Sequence, residues 1–104
     1  MNIKTIDVPT LKQWLDSQEV VLIDVREPDE IAQARIPGSI SQPLGGISLE
    51  QLPSLDNKKL VMYCKAGMRS RLACEKLLAQ NHSLEVYNLE GGIMSWIQQG
   101  QKLL

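Results

Sequence analysis

The sequence predicts an α/β fold: three layers, α/β/α, around a mostly parallel sheet of about five strands. Two observations carry this. Val20-Val21-Leu22-Ile23-Asp24-Val25 and Leu60-Val61-Met62-Tyr63 are continuous apolar runs, the pattern of strands covered on both faces. Helical patterns alternate with these strands, which is the signature of parallel crossovers.

Taken in order, Ile3 to Ile6 is expected to form a short first strand. Thr10 is a cap for a helix through Ser17, with Leu11, Trp14 and Leu15 on one face. After the 20–25 strand, Pro28 suits the first turn of a helix through Ala34, and Asp29 and Glu30 favour its positive end. A short strand is expected around Ser39 to Ser41, after the Pro37-Gly38 turn, and a short helix from Ser48 to Leu52. The helix from Ser70 to Gln80 places Ala73, Cys74, Leu77 and Leu78 together. Leu84 to Leu89 alternates more than the other strands and is expected nearer an edge. Gly91-Gly92 breaks the chain before a last helix from Ile93 to Gln99.

At 104 residues the chain is expected to be one domain, 1–104, large enough for a single core. A net charge of -1 argues against general nucleic-acid binding, which needs a basic face. Two cysteines are too few for a disulfide scaffold and favour a reducing compartment. The N-terminus carries no apolar leader and no stretch has the length of a membrane span, so a cytoplasmic protein without a membrane partner is expected.

Cys64 is the candidate nucleophile. It follows an apolar strand and opens the basic, glycine-containing segment Lys65-Ala66-Gly67-Met68-Arg69-Ser70, which leads into a helix. Successive backbone N–H groups at a helix start favour an anion, and the same field lowers a cysteine's pKa. Gly67 lets the backbone curl. Ser70 can cap the helix or donate to the anion, and Lys65 and Arg69 add positive charge. The only histidine, His82, follows the far end of that helix, about 15 Å along its axis, and does not suit a Cys–His dyad. Cys64 and Cys74 lack metal-ligand spacing, so no metal is expected. In sheets of this type ligands bind outside the carboxyl ends of strands, where Asp24-Val25-Arg26, Cys64 to Ser70 and Glu90-Gly91-Gly92 all fall.

The segment Cys64 to Ser70 resembles the active-site loop of single-domain rhodanese-like sulfurtransferases. Three more segments agree in order and spacing: Leu22 to Glu27, Ile36-Pro37-Gly38-Ser39 with Pro43-Leu44, and Leu89-Glu90-Gly91-Gly92 with Trp96. The resemblance implies a Cys64 thiolate that takes the sulfane sulfur of a small anionic donor such as thiosulfate. A persulfide then sits on Cys64 and passes to a thiol or protein acceptor, without metal or organic cofactor. It implies that Cys64 is catalytic and that Lys65, Ala66, Gly67, Met68, Arg69 and Ser70 bind substrate; Arg26, after the 20–25 strand, is a further candidate for the pocket by its position.

Two other readings stand beside this one. Cysteine phosphatases set one residue more between cysteine and arginine than the four between Cys64 and Arg69, and arsenate reduction on the related fold is the companion alternative. The shorter ring suits a single sulfur better than a tetrahedral phosphate. A persulfide carrier or interaction module shares the fold, and the presence of Cys64 favours chemistry over interaction alone. The chain departs from the family at Ala34-Arg35 and at Ile31, away from the cysteine loop. Asp24 is expected to be structural, and Arg26 to be either structural or pocket-lining. Trp14 and Trp96 are expected to pack the core, Cys74 to be buried and inert rather than a resolving thiol, and Met68 to shape the acceptor side of the pocket.

Overall fold

The computed structural model describes residues 3–104. Its elements are β1 (Ile3–Ile6), α1 (Val8–Asp16), β2 (Val20–Asp24), α2 (Pro28–Gln33), β3 (Ile40–Ser41), β4 (Lys59–Tyr63), α3 (Met68–Gln80), β5 (Val86–Leu89) and α4 (Gly92–Gln98). Two short 3-10 turns, Leu44–Gly46 and Leu49–Gln51, connect β3 to β4. The five strands form one sheet in the order β1-β5-β4-β2-β3, and every pairing is parallel.

Side chains alternate across a strand, so a strand with apolar residues throughout feeds two cores at once. β4 does this. Leu60 and Met62 pack with Ala73, Cys74, Leu77 and Leu78 of α3, whereas Val61 and Tyr63 face Leu11 of α1 and Ile93 and Trp96 of α4. α3 covers one face and α1 with α4 covers the other, giving the expected α/β/α layers. Cys64 continues the Leu60–Met62 parity and lies in the α3-side core.

Several boundaries differ from the sequence reading, each for a local reason. α1 starts at Val8 because the Asp7 side chain accepts from the Thr10 amide at 2.9 Å, which makes Asp7 the cap rather than Thr10. α3 starts at Met68, two residues before Ser70, because Gly67 takes φ +116° at the N-cap and lets the loop turn directly into the helix. β5 lies one strand in from the edge, nearer it than the central β4, and the pairing of β1 alongside explains why Val86, Asn88 and Leu89 are buried. The turn at Leu44–Gly46 carries no periodic signal in the sequence.

Because all strands run parallel, their carboxyl ends open on one rim. Asp24 to Arg26 at the end of β2, the Cys64 loop after β4 and Glu90 to Gly92 after β5 lie there. Among the described residues no helix is long and apolar enough to cross a membrane.

Candidate active site

The loop from Cys64 to Ser70 wraps around the Cys64 sulfur. The Gly67 amide donates to Cys64 Sγ at 3.1 Å, and Ser70 Oγ stands 3.3 Å from it on the first turn of α3. Cys64 is 2 % exposed, so its sulfur lies at the bottom of the loop rather than on its rim. Burial by itself would raise the thiol's pKa. The Ser70 hydroxyl and the amides of Ser70, Gly67 and Ala66 outweigh it, and the pKa falls below its ordinary value of 9.0. These donors favour a negatively charged sulfur without a histidine. His82 is exposed in the turn that follows α3.

The loop is braced from both sides. On one side, the start of α4 donates to its carbonyls: the Ile93 amide to Cys64 O at 2.9 Å and the Met94 amide to Lys65 O at 3.1 Å. That approach needs Gly92, where an added Cβ would fall 2.4 Å from Cys64 O and 2.5 Å from Lys65 O. On the other side, Asn88 of β5 reaches under the loop. Its Nδ2 donates to Gly67 O at 3.0 Å, and its Oδ1 lies 2.6 Å from Ser70 Oγ.

The charged residues are largely paired. Arg69 binds Glu30 of α2 through both terminal nitrogens, at 2.6 and 2.9 Å. That bond holds the Glu30 carboxyl down at about 2. The Arg69 charge is therefore shared with a carboxylate rather than devoted to the sulfur. Arg26 is buried, bonds Asp24 with two nitrogens and donates to Ala34 O at 2.7 Å. This pair ties the end of β2 to the residue after α2. Arg26 also lines, with Glu30, Lys65, Met94 and Ile97, a cleft of about 240 Å³ beside the loop. Arg71 pairs with Glu75 along α3.

The remaining singled-out residues sort by exposure. Lys65 and Ala66 are exposed on the outer turn of the loop. Met68 is 80 % exposed, with Met94 and Ile97 also exposed on α4. Trp96 is buried and donates to Lys102 O at 2.7 Å, and Trp14 packs edge-on against Tyr87. Cys74 is fully buried on the core face of α3, where loss of solvent pushes its thiol up to about 12. Cys74 and Cys64 are both free.

Sequence reasoning singled out neither Asn88 nor the partnership of Glu30 with Arg69. A polar residue at an otherwise buried strand position was the one available sign of Asn88. In sequence, Glu30 shows only as a favourable charge at a helix start.

A family model described as "Rhodanese-like domain" matches residues 7–99. A sulfurtransferase of Allochromatium vinosum is 37% identical over 99 residues, covering 94% of this chain and 92% of that protein. A crystal structure of a rhodanese-related protein from Thermoplasma volcanium superposes with a TM-score of 0.79 at 30% identity, covering 97% of each chain. Thiosulfate sulfurtransferase from Pseudomonas aeruginosa gives a TM-score of 0.86 at 27% identity, covering 98% of this chain and 20% of that one.

Proposed function

The chain belongs to the rhodanese-like domain family, and from that premise we propose that it is a sulfurtransferase that carries a sulfane sulfur as a persulfide on Cys64. The observation that carries this reading is the ring of donors around the sulfur: the Gly67 amide at 3.1 Å and the Ser70 hydroxyl at 3.3 Å, at the start of a helix. Such a ring stabilises an anionic sulfur in a site from which water is excluded.

The chemistry follows from the donors. The Cys64 thiolate attacks the outer sulfur of thiosulfate. A new Cys64 S–S bond forms, the donor's S–S bond breaks, and sulfite leaves with the electron pair. The negative charge then sits on the terminal persulfide sulfur, within the curl made by Ala66, Gly67 and Met68. A thiolate acceptor, free or on a protein, attacks that terminal sulfur, and Cys64 leaves as a thiolate ready for another cycle. Lys65, at the adjacent cleft, supplies positive charge toward an incoming anion, while Arg26 lines the same cleft with its own charge paired to Asp24. Exposed Met68 presents an apolar edge to the acceptor. The cycle needs no metal or organic cofactor. A thiolate that must return to the reduced form suits a reducing compartment such as the cytoplasm.

The sulfur reading is favoured over phosphate by the ring itself. Arg69 is committed to Glu30, and a tetrahedral dianion would need a guanidinium closing the ring. The test is turnover of thiosulfate with cyanide as acceptor. Wild type should transfer sulfur and leave an aryl phosphate intact, and Cys64→Ser should fold and transfer nothing. Turnover by Cys64→Ser, or hydrolysis of the aryl phosphate by wild type, refutes the proposal.

A further inference from the structure

The Ser70 hydroxyl has one proton and three acceptors around it: Cys64 Sγ at 3.3 Å, Gly67 O at 3.2 Å and Asn88 Oδ1 at 2.6 Å. The neighbouring bonds decide where that proton sits. Gly67 O can only accept, and it already receives Asn88 Nδ2 at 3.0 Å and the Arg71 amide at 3.2 Å. The Asn88 amide must therefore turn its nitrogen to Gly67 and its oxygen to Ser70. Among the described residues, Asn88 Oδ1 has only the Ser70 hydroxyl as donor in this arrangement, at the shortest of the three distances. Both side chains are buried, Ser70 at 0% and Asn88 at 6% exposure. While Cys64 is a thiol, these bonds favour the Ser70 proton on Asn88 Oδ1, which leaves an oxygen lone pair facing Cys64.

We propose that Asn88 is a positioning residue that sets the ionisation of Cys64 by competing with it for the Ser70 proton. In the thiol form, Cys64 S–H donates to Ser70 Oγ, and Ser70 donates to Asn88. When the thiol ionises, its proton leaves to solvent. The Ser70 hydroxyl rotates toward the sulfur without giving up its own proton, and Asn88 Oδ1 is left without a donor. A buried acceptor without a donor is costly, so Asn88 opposes the thiolate while its Nδ2 keeps the loop in place. The same rotation serves the return of Cys64 as a leaving thiolate after sulfur has passed to the acceptor.

The other charged groups around Cys64 do not touch this pair. Asp24 is bonded to Arg26, Glu30 to Arg69 and Arg71 to Glu75. Lys65 is exposed. The Tyr63 hydroxyl is bonded to Ser39 and to the Ile36 amide.

The inference rests on Cys64 as the nucleophile, but its test does not depend on turnover. The rate of Cys64 alkylation by neutral iodoacetamide is measured against pH in wild type, Asn88→Ala, Ser70→Ala and the double variant. Asn88→Ala should lower the Cys64 midpoint by about one pH unit, because Ser70 is released to the sulfur. Ser70→Ala should raise the midpoint strongly in the Asn88→Ala background and little in the native one. An unchanged or raised midpoint in Asn88→Ala, or an equal effect of Ser70→Ala in both backgrounds, overturns the proposal. If Asn88→Ala does not fold, the side-chain carbonyl ¹³C resonance of Asn88 decides the matter. It should titrate with Cys64 in wild type and stop doing so in Ser70→Ala. A resonance that stays fixed, or that still titrates in Ser70→Ala, overturns the proposal equally. Absence of sulfur loading by wild type would refute the transfer reading and leave these titrations as they stand.

Discussion

Gly92→Ala is expected to damage the cysteine loop from outside it. Gly92 opens α4 at φ +57°, in the left-handed region, where an alanine costs about 1 kcal/mol. Its Cβ would also meet Cys64 O at 2.4 Å and Lys65 O at 2.5 Å, both backbone atoms that no rotamer change can move. Overpacking of this kind costs about 1–3 kcal/mol, which makes the total about 2–4 kcal/mol. For a domain of this size that is a fall in Tm of about 10–30 °C. Relief of the clash requires the α4 start and the loop to part, which weakens the Ile93 and Met94 amide bonds to the Cys64 and Lys65 carbonyls. The Cys64 sulfur then shifts against the Gly67 amide, so its pKa should rise toward the ordinary value. The assays are urea denaturation and the pH profile of Cys64 alkylation, with Gly45→Ala as control. Nothing lies within 4 Å of a Cβ at Gly45, so that change should stay within about 0.5 kcal/mol of wild type. Wild-type stability and a wild-type alkylation profile in Gly92→Ala would refute the reasoning.

Two further predictions concern the groups around the loop. Glu30 has its pKa depressed from 4.5 to about 2 by Arg69, so its contribution to stability is present in full above pH 4.5 and is lost as pH falls toward 2. Glu30→Gln should therefore cost about 1 kcal/mol at neutral pH, the small size reflecting a partly solvated pair, and the gap to wild type should close on acidification; a gap that persists at pH 2 contradicts this. Cys74, pushed up to about 12 in the core, should remain unmodified when native protein is treated with iodoacetamide while Cys64 is alkylated. One adduct per native chain is expected by mass spectrometry, and a Cys64–Cys74 bridge in the folded monomer after peroxide would show that Cys74 is not inert.

What could be read from the chain was what is encoded locally. The apolar runs of β2 and β4 declared buried parallel strands, because residues facing two cores have no polar positions to interleave. Cys64 at the end of one such run, followed by Gly67 and a helix, pointed to a loop that curls around the sulfur. The Asp7 cap, by contrast, was hidden by Thr10, an equally good capping residue nearby; only the path of the chain out of β1 decides between them. The partners of the loop were hidden for a different reason. Glu30 and Arg69 are 39 residues apart, and Ser70 and Asn88 are 18 apart. Their meeting depends on which strands neighbour β4, and no local pattern states that. Gly92 was legible as a turn, but its closeness to the Cys64 carbonyl follows from the packing of α4 against the loop. Of the two cations read as activating Cys64, Arg69 is held by a carboxylate from α2, whereas Lys65 is exposed.

The central claim is that the ring from Cys64 to Ser70 holds a transferable sulfur. Intact-mass analysis after brief exposure to thiosulfate tests it most directly. Wild type should gain the mass of one sulfur atom, with the adduct on Cys64 and discharged by cyanide or a thiol, and Cys64→Ser should gain nothing. A wild type that takes up no sulfur, or an adduct that survives in Cys64→Ser, would contradict the account.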